Sequence, residues 1–262
     1  MINTPYDVVQ KTCAMALKKY HTPTIKLFVL GMLAGVYIAM GALLSSMAAG
    51  GLAGIGETNP IVPKLVSGMT FPVGLLLVIL VGAELFTGNT AYLMPATIKG
   101  TVPRTYFLKN WGIVYVANLA GALLFDYFLV YQADMLHHEA YHHYITHIAE
   151  YKTSLPWEQV FLRGIGANWM VCLAVWLGFS SKSMAGQVMG IWWPVMAFVA
   201  IGFEHSVANM FYIPTGMMYG ANVSISDFIC NNLIPSTLGN IVGGGLLVGC
   251  LYGYFYKNEA KH

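Results

Sequence analysis

Long apolar stretches alternate with short polar breaks along the chain, and this pattern predicts a protein that crosses a membrane several times. A helix needs about 20 apolar residues to span a bilayer. Six stretches reach that length, at residues 27–49, 65–98, 110–131, 161–179, 183–226 and 228–256. Charged residues make up only 9% of the 262 residues, whereas a soluble domain holds roughly 25%. The sequence therefore predicts an all-α integral membrane protein.

Two of the six stretches are too long for one spanning helix. Residues 65–98 would measure roughly 51 Å as a single helix, against about 30 Å of hydrocarbon in a bilayer. Residues 183–226 are longer still, and each stretch carries glycine, proline and a glutamate near its middle. Interrupted segments at matching places in two halves are typical of discontinuous helices around a binding site at the membrane midplane. We therefore expect the second and fifth helices to be broken.

The two long stretches also resemble each other, which indicates an internal repeat. Residues 82–93 match residues 202–213, with Gly, Glu, Asn and Tyr at the same places. Asn118 and Asn240 begin a further matching pair, Asn-Leu-Ala-Gly and Asn-Ile-Val-Gly. Each copy contains three spans, an odd number, so the two copies must cross the membrane in opposite directions. The sequence predicts six transmembrane helices in two inverted three-helix repeats.

The distribution of basic residues predicts which side each end occupies. All but three of the thirteen lysines and arginines fall on one side if both termini are placed there; the exceptions are Lys64, Lys152 and Arg163. Basic residues collect on the cytoplasmic side, so we expect both termini in the cytoplasm. The predicted single membrane domain, 1–262, comprises a cytoplasmic amphipathic lead-in (1–26), the first repeat (27–133), an outer loop (134–160), the second repeat (161–256) and a cytoplasmic tail (257–262).

His205 is the first candidate for chemistry. It follows Glu204 inside a region that otherwise carries no charge from residue 183 to residue 226, and Leu85 stands at the same place in the first copy. Ionisable groups at membrane depth cost about 2.5–3.5 kcal/mol on insertion, so they are functional candidates. An imidazole donates a hydrogen bond and, when protonated, adds a positive charge. His205 is therefore predicted to help an anion that has lost its water across an apolar constriction.

The two glutamates and two asparagines of the repeat favour a structural role. A carboxylate in the pore would repel an anion, so Glu84 and Glu204 are predicted to hold the helix breaks together by accepting backbone N–H bonds. Asn89 and Asn209 are predicted to cap backbone groups that the breaks leave free.

Other polar residues leave alternatives open. Thr87 lies in the first break, where its hydroxyl can face a lumen, and Asn168 is either an interhelical link or a pore-lining partner of His205. In the outer loop, His138/His142 and His143/His147 have the i,i+4 spacing that a metal can use. No third ligand is fixed, so the alternatives are solvated or weakly pH-sensing histidines, and neither a metal site nor a cofactor is predicted.

Three strings resemble the formate/nitrite transporter family: residues 202–210 (GFEHSVANM), residues 166–176 (GANWMVCLAVW) and residues 232–245. The likeness extends over residues 31–256. It implies an aquaporin-like fold and a pentamer in the cell inner (cytoplasmic) membrane. It also implies passage of small monovalent anions, formate above all, with nitrite, hydrosulfide, acetate or lactate as variants. Coupling to protons near the histidine is the mechanism that the resemblance implies.

The resemblance also implies roles for single residues. His205 corresponds to the family's central pore histidine, with Asn168 beside it and Thr87 in the flexible break. Lys152 corresponds to a vestibule lysine that raises the local anion concentration. The apolar constrictions correspond to Phe71, Leu75, Leu85, Val171 and Phe198.

Two other classes of function fit the sequence less well. An aquaporin-type pore for neutral solutes would carry Asn-Pro-Ala in each half and a filter arginine, and neither break has them. An intramembrane enzyme using Glu204 and His205 lacks a nucleophile, and adjacent residues on a helix diverge by about 100°. No basic tract indicates nucleic acid. We therefore expect no enzyme activity; the expected partners are the anion, protons, the lipid bilayer and further copies of the chain.

Overall fold

The computed structural model describes residues 2–258, and every regular element longer than a single bridge in this part of the chain is a helix. Residues 259–262 of the expected cytoplasmic tail lie outside the described residues. The helices, in chain order, are α1 (Pro5–Tyr20), α2 (Thr24–Gly50), α3 (Ala53–Thr58), α4 (Ile61–Gly82), α5 (Phe86–Lys99), α6 (Tyr106–Tyr131), α7 (Glu139–Ser154), α8 (Trp157–Ser180), α9 (Met184–Ile201), α10 (Ser206–Met218) and α11 (Asp227–Phe255).

Six of these helices are long and apolar enough to cross a membrane, namely α2, α4, α6, α8, α9 and α11. This confirms the predicted all-α class and the predicted number of spans. The helices pack closely through small residues. Gly35 of α2 faces the backbone of Asn118 in α6, and Gly164 of α8 faces Gly239 of α11. Lipid is as apolar as the helix side chains, so the hydrophobic effect does not drive helices together inside a membrane. Small residues let the helix backbones approach closely and pack instead.

Two short non-helical segments interrupt the bundle, residues 83–85 between α4 and α5 and residues 202–205 between α9 and α10. A glycine with a left-handed backbone precedes the first segment and begins the second, Gly82 at φ 99° and Gly202 at φ 89°. Only glycine adopts this conformation without a steric penalty. The repeated glycine therefore has a local reason, because it turns the chain out of the helix at each interruption.

The lead-in helix α1 packs against protein. It begins with a capping box in which the backbone N–H and hydroxyl of Thr4 hold the pKa of the Asp7 carboxyl below its ordinary value. Val9, Cys13 and Ala16 are buried in one cluster with residues of α5. The amphipathic lead-in is therefore a helix whose apolar face is covered by α5.

The expected outer loop contains the sixteen-residue helix α7. Ile145, Ala149 and Lys152 of α7 are buried, and Gly216 of α10 lies against Ile145 and Ala149. The i, i+4 and i+7 spacing of these three residues gives α7 one buried face among otherwise polar residues. That face places Lys152 inside the bundle.

Candidate functional site

His205 stands at the N-cap of α10 and faces Thr87 of α5. Its Nδ1 accepts a hydrogen bond from the backbone N–H of Ala208 at 3.0 Å, and its Nε2 lies 2.9 Å from Oγ1 of Thr87. A neutral imidazole carries its proton on one nitrogen only. Because Nδ1 is the acceptor, the hydrogen bonds assign the proton to Nε2, which donates to the Thr87 hydroxyl.

This assignment leaves the hydroxyl hydrogen of Thr87 free. Within residues 2–258 no acceptor takes the Thr87 hydroxyl hydrogen, while its oxygen accepts from His205. His205 is 3% exposed and Thr87 is fully buried. The pair therefore presents one free O–H donor, that of Thr87, inside a region closed to solvent.

Two cavities approach this pair from opposite ends of α2. The first, of about 390 Å³, is bounded by α1 near the start of α2, and the second, of about 90 Å³, by α7 near the end of α2. Leu85 and Gly88, on either side of Thr87 in the sequence, line the first cavity, and His205 lines the second. We refer to the second as the inner cavity.

Four of the five residues expected at apolar constrictions lie on the cavity walls. Phe71 and Phe198 line the inner cavity with their ring centroids 5.8 Å apart in an edge-to-face contact, and the Phe198 ring is 5.9 Å from the His205 ring. Leu75 and Leu85 line the first cavity. Val171 is buried in the same apolar cluster as these four. The surroundings of the Thr87–His205 pair are therefore apolar on both sides.

Glu204 lies at the second helix interruption within a set of side-chain donors. It accepts hydrogen bonds from Lys152 Nζ at 2.9 Å, Asn209 Nδ2 at 2.7 Å and Asn232 Nδ2 at 3.2 Å. The Lys152 ammonium also sits 5.4 Å from the centre of the Tyr212 ring. Lys152 thus lines the inner cavity and neutralises a buried carboxylate.

Glu84 has the same kind of surroundings at the first interruption. It accepts from Lys19 Nζ at 2.6 Å and from Asn89 Nδ2 at 2.9 Å, and Asn89 also donates to Asn110. Lys19 lies 5.4 Å from the centre of the Tyr92 ring. The two interruptions are therefore built from the same residue types: Lys, Glu, two Asn and Tyr.

These contacts correct the expected partners of the glutamates. Glu84 and Glu204 accept from lysine and asparagine side chains; the backbone N–H bonds expected for them are absent among residues 2–258. The physical reason is charge, because a buried carboxylate is tolerated only beside a countercharge. Asn89 and Asn209 likewise donate to these carboxylates, so the expectation that their side chains cap free backbone groups is wrong.

The side chains of Asn118 and Asn240 form hydrogen bonds with backbone groups at and near the two helix interruptions. Asn118 accepts from the N–H of Phe86 at 2.9 Å and donates to the carbonyls of Gly31 and Glu84 at 2.7 and 2.9 Å. Asn240 accepts from the N–H of Ser206 at 2.8 Å, and it donates to the carbonyls of Gly164 and Glu204 at 2.8 and 2.9 Å. From the sequence, both asparagines were recognised only as markers of the repeat. A polar residue at the same place of the two matching strings, Asn-Leu-Ala-Gly and Asn-Ile-Val-Gly, was the signal for this role.

Asn168 fixes the position of Thr87. Its Nδ2 lies 3.2 Å from the Thr87 carbonyl oxygen, 2.9 Å from Thr90 Oγ1 and 2.6 Å from the Asn240 carbonyl oxygen. These contacts join α8 to α5 and α11. Of the two alternatives for Asn168, they favour the interhelical link over a direct contact with His205.

The histidines of α7 lie on its polar side. The rings of His143 and His147 stack with centroids 6.0 Å apart, and Nδ1 of His138 accepts from the N–H of Ala140 at the start of the helix. Across residues 2–258, no group of three or more His, Cys, Asp or Glu side chains is arranged to hold a metal ion. The i,i+4 histidine pairs thus occur without a third ligand in the part of the chain that the structure describes.

Comparison with known proteins identifies the family. The sequence model of the formate/nitrite transporters matches residues 6–254. The chain belongs to the formate/nitrite transporter family. It is 44% identical to the "Probable formate transporter" of Methanothermobacter thermautotrophicus, over 98% of both chains. It is 36% identical to the "Formate channel FocA" of Escherichia coli K12, over 91% of this chain and 89% of that one.

Solved structures of this family have the same fold. An "FNT family ion channel" superposes with a TM-score of 0.87 at 28% identity, over 97% of this chain and 99% of that one. A "Pentameric formate channel with formate bound" superposes with a TM-score of 0.77 at 32% identity, over 90% and 98%. The relatives are transporters and channels, so this member of the formate/nitrite transporter family is an integral membrane transport protein. The enzyme alternative is excluded.

Proposed function

We propose that the protein conducts small monovalent anions across the membrane, with formate as the principal substrate and nitrite or hydrosulfide as the alternatives. The observation that carries this proposal is the Thr87 hydroxyl, whose oxygen accepts from neutral His205 and whose hydrogen stays free, between two cavities with lysine on their walls. The names of relatives at 44% and 36% identity favour formate.

The surroundings suggest how an anion passes. Lys152 and Lys19 attract it into the cavities, while Glu204 and Glu84 keep each lysine from holding it too tightly. The apolar side chains of Phe71, Phe198, Leu75 and Leu85 exclude water, so the anion loses its hydration shell as it passes between the cavities. There the free O–H of Thr87, whose oxygen accepts from the His205 N–H, replaces lost water, and hydrogen bonds are stronger in such a low-dielectric region.

Proton coupling at His205 is part of the proposal. A second ring proton would have to sit on Nδ1, which already accepts from the N–H of Ala208. Protonation of the imidazole therefore breaks the hydrogen bond that caps the N-terminus of α10. On this proposal, protonation of His205 and loosening of the first turn of α10 occur together, which makes transport depend on pH.

We further propose two inverted repeats, from 27–133 and 161–256, in a pentamer of the cell inner membrane with both termini in the cytoplasm. Equivalent contacts of Asn118 and Asn240, and of the Lys19–Glu84 and Lys152–Glu204 pairs, support the repeat. The solved relative described as a pentameric formate channel supports the oligomer. The distribution of lysine and arginine supports the orientation.

Uptake by proteoliposomes tests the function. Formate, nitrite and hydrosulfide are offered to the wild-type oligomer at about pH 5 and about pH 7, the range over which histidine changes charge. We expect saturable formate uptake that depends on pH. His205→Asn should keep the oligomer intact on gel filtration but abolish the pH-dependent, proton-linked uptake.

His143→Asn is the matched control, because it removes an exposed histidine of α7. It should leave both the rate and the pH profile unchanged. No flux of any of the three anions through intact wild-type oligomers would refute the anion-channel proposal.

A further inference from the structure

A third and larger cavity adjoins the inner cavity on the α7 side. It has a volume of about 690 Å³, and we call it the mouth cavity. The two cavities share six wall residues: Ser67, Tyr144, Ile148, Val199, Gly202 and Phe203. A solute entering from this side would therefore meet the mouth cavity before it meets Lys152 and His205.

The ionisable side chains on the wall of the mouth cavity are basic, apart from two tyrosines. Lys64, Arg163 and His147 lie on its wall, and its wall carries no aspartate or glutamate among the described residues. Lys64 and Arg163 have no carboxylate within ion-pair distance in residues 2–258, where the ion pairs are Lys19–Glu84 and Lys152–Glu204. The inner cavity holds a neutralised lysine, whereas the mouth cavity holds two uncompensated positive charges.

Arg163 is also held in place. Its Nη1 donates to the hydroxyl of Tyr151 at 3.0 Å, and its guanidinium lies 5.9 Å from the centre of the Tyr151 ring. A guanidinium has five N–H donors in a planar fork, so this single bond leaves an edge free. Such an edge fits the two oxygens of a carboxylate.

We propose that Lys64 and Arg163 form a binding site for a small two-oxygen anion, a monocarboxylate or nitrite, in the mouth cavity. This site is separate from Lys152 and His205, and it loads the inner cavity. The inference rests on the proposed anion transport. A cleft whose charged side chains all have the same sign raises the local concentration of counter-ions and their entry rate by a factor of about 10–10³.

The double variant Lys64→Gln/Arg163→Gln tests this site in proteoliposomes. The formate concentration that gives half-maximal uptake should rise on the order of tenfold at low ionic strength, while the maximal rate stays the same. Tenfold is the lower end of the effect that a cleft of one charge sign has on entry. The difference should disappear near 1 M salt of an impermeant anion, where the screening length is about 3 Å. An unchanged half-saturation and an unchanged salt dependence would overturn the proposal.

Two further variants separate charge from structure. Lys182→Gln removes an exposed charge outside the mouth cavity. It should have nearly wild-type half-saturation. Arg163→Lys keeps the charge but loses the fork, so it should weaken formate and nitrite uptake more than hydrosulfide uptake. Equal effects on all three anions would contradict the two-oxygen geometry.

A measurement of anion binding that does not require flux tests this inference separately from the proposed function. Broadening of the chloride NMR line by the purified oligomer reports anion binding whether or not transport occurs. The double variant should reduce this broadening, and His205→Asn should not. If wild-type protein carries no formate, the proposed function fails, and the chloride measurement still decides the mouth site. Equal broadening by wild type and double variant would refute it.

Discussion

The Nε2 atom of His205 lies 2.9 Å from the Oγ1 atom of Thr87, although the two residues are 118 positions apart in the sequence. This hydrogen bond joins the start of α10 to the start of α5, and so it links the two helix interruptions. Because Nδ1 of His205 is occupied by the Ala208 N–H, the Thr87 oxygen is the acceptor on which the ring proton depends.

Thr87→Val should disable the site while keeping its shape. The substitution leaves the buried Nε2–H without an acceptor, which costs about 1–3 kcal/mol, and removes the hydroxyl donor. We expect formate flux to fall to background and the thermal midpoint of the oligomer to decrease. Thr87→Ser keeps the hydroxyl and should retain flux. Thr97→Val, which removes a partly buried hydroxyl elsewhere in α5, is the control; equal loss of flux there would contradict the prediction.

Asn118→Ala and Asn240→Ala should destabilise the two interruptions. Each side chain makes three hydrogen bonds to backbone groups of neighbouring segments. At about 1 kcal/mol net for each bond, the expected loss is roughly 3 kcal/mol for each variant. Thermal dissociation of the oligomer measures it. Asn231→Ala removes an exposed side chain bonded to Asp227 and should change little; similar losses in all three variants would argue against the structural role.

Removing only the lysine of the Lys152–Glu204 pair should destabilise the protein more than removing both charges. The side chains are 10% and 2% exposed, so Lys152→Met strands a buried carboxylate at a cost of about 3–5 kcal/mol. Lys152→Met combined with Glu204→Gln should recover most of the thermal stability. The double variant should still take up formate more slowly, because the inner cavity has lost the lysine ammonium, which offers N–H donors to the anion. A double variant less stable than Lys152→Met would contradict this account.

Gly244→Ala should disturb Thr87 from a distance. A Cβ at Gly244 would overlap Thr90 Oγ1 and Asn168 Nδ2, the groups that hold the Thr87 carbonyl. Overpacking of this kind costs about 1–3 kcal/mol, and we expect lower stability and slower formate flux. Gly112→Ala is the matched control, because a Cβ there meets nothing within 4 Å. It should be neutral or stabilise by up to about 1 kcal/mol; equal effects would refute the steric explanation.

Several features of the candidate site could be predicted because they depend on short stretches of chain. Gly202 turns the backbone by its own φ preference, and His205 stands out because it is ionisable in an apolar region. The structure places Thr87 against His205, a contact that was not predicted from the sequence, because the two residues are 118 positions apart. The carboxylate partners of Lys19 and Lys152 were not predicted, because Lys19–Glu84 and Lys152–Glu204 are separated by 65 and 52 residues.

The sequence by itself determined the helical class, the six spans and the family, since these follow from hydropathy, local backbone preference and short motifs. Tertiary structure alone decided that α1 packs on α5, that α7 carries Lys152 inward, and that Asn118 and Asn240 complete the backbone at the interruptions. The physical reason is that a buried polar group takes whichever partner the packing of distant helices brings within hydrogen-bond reach, and no local pattern encodes that partner.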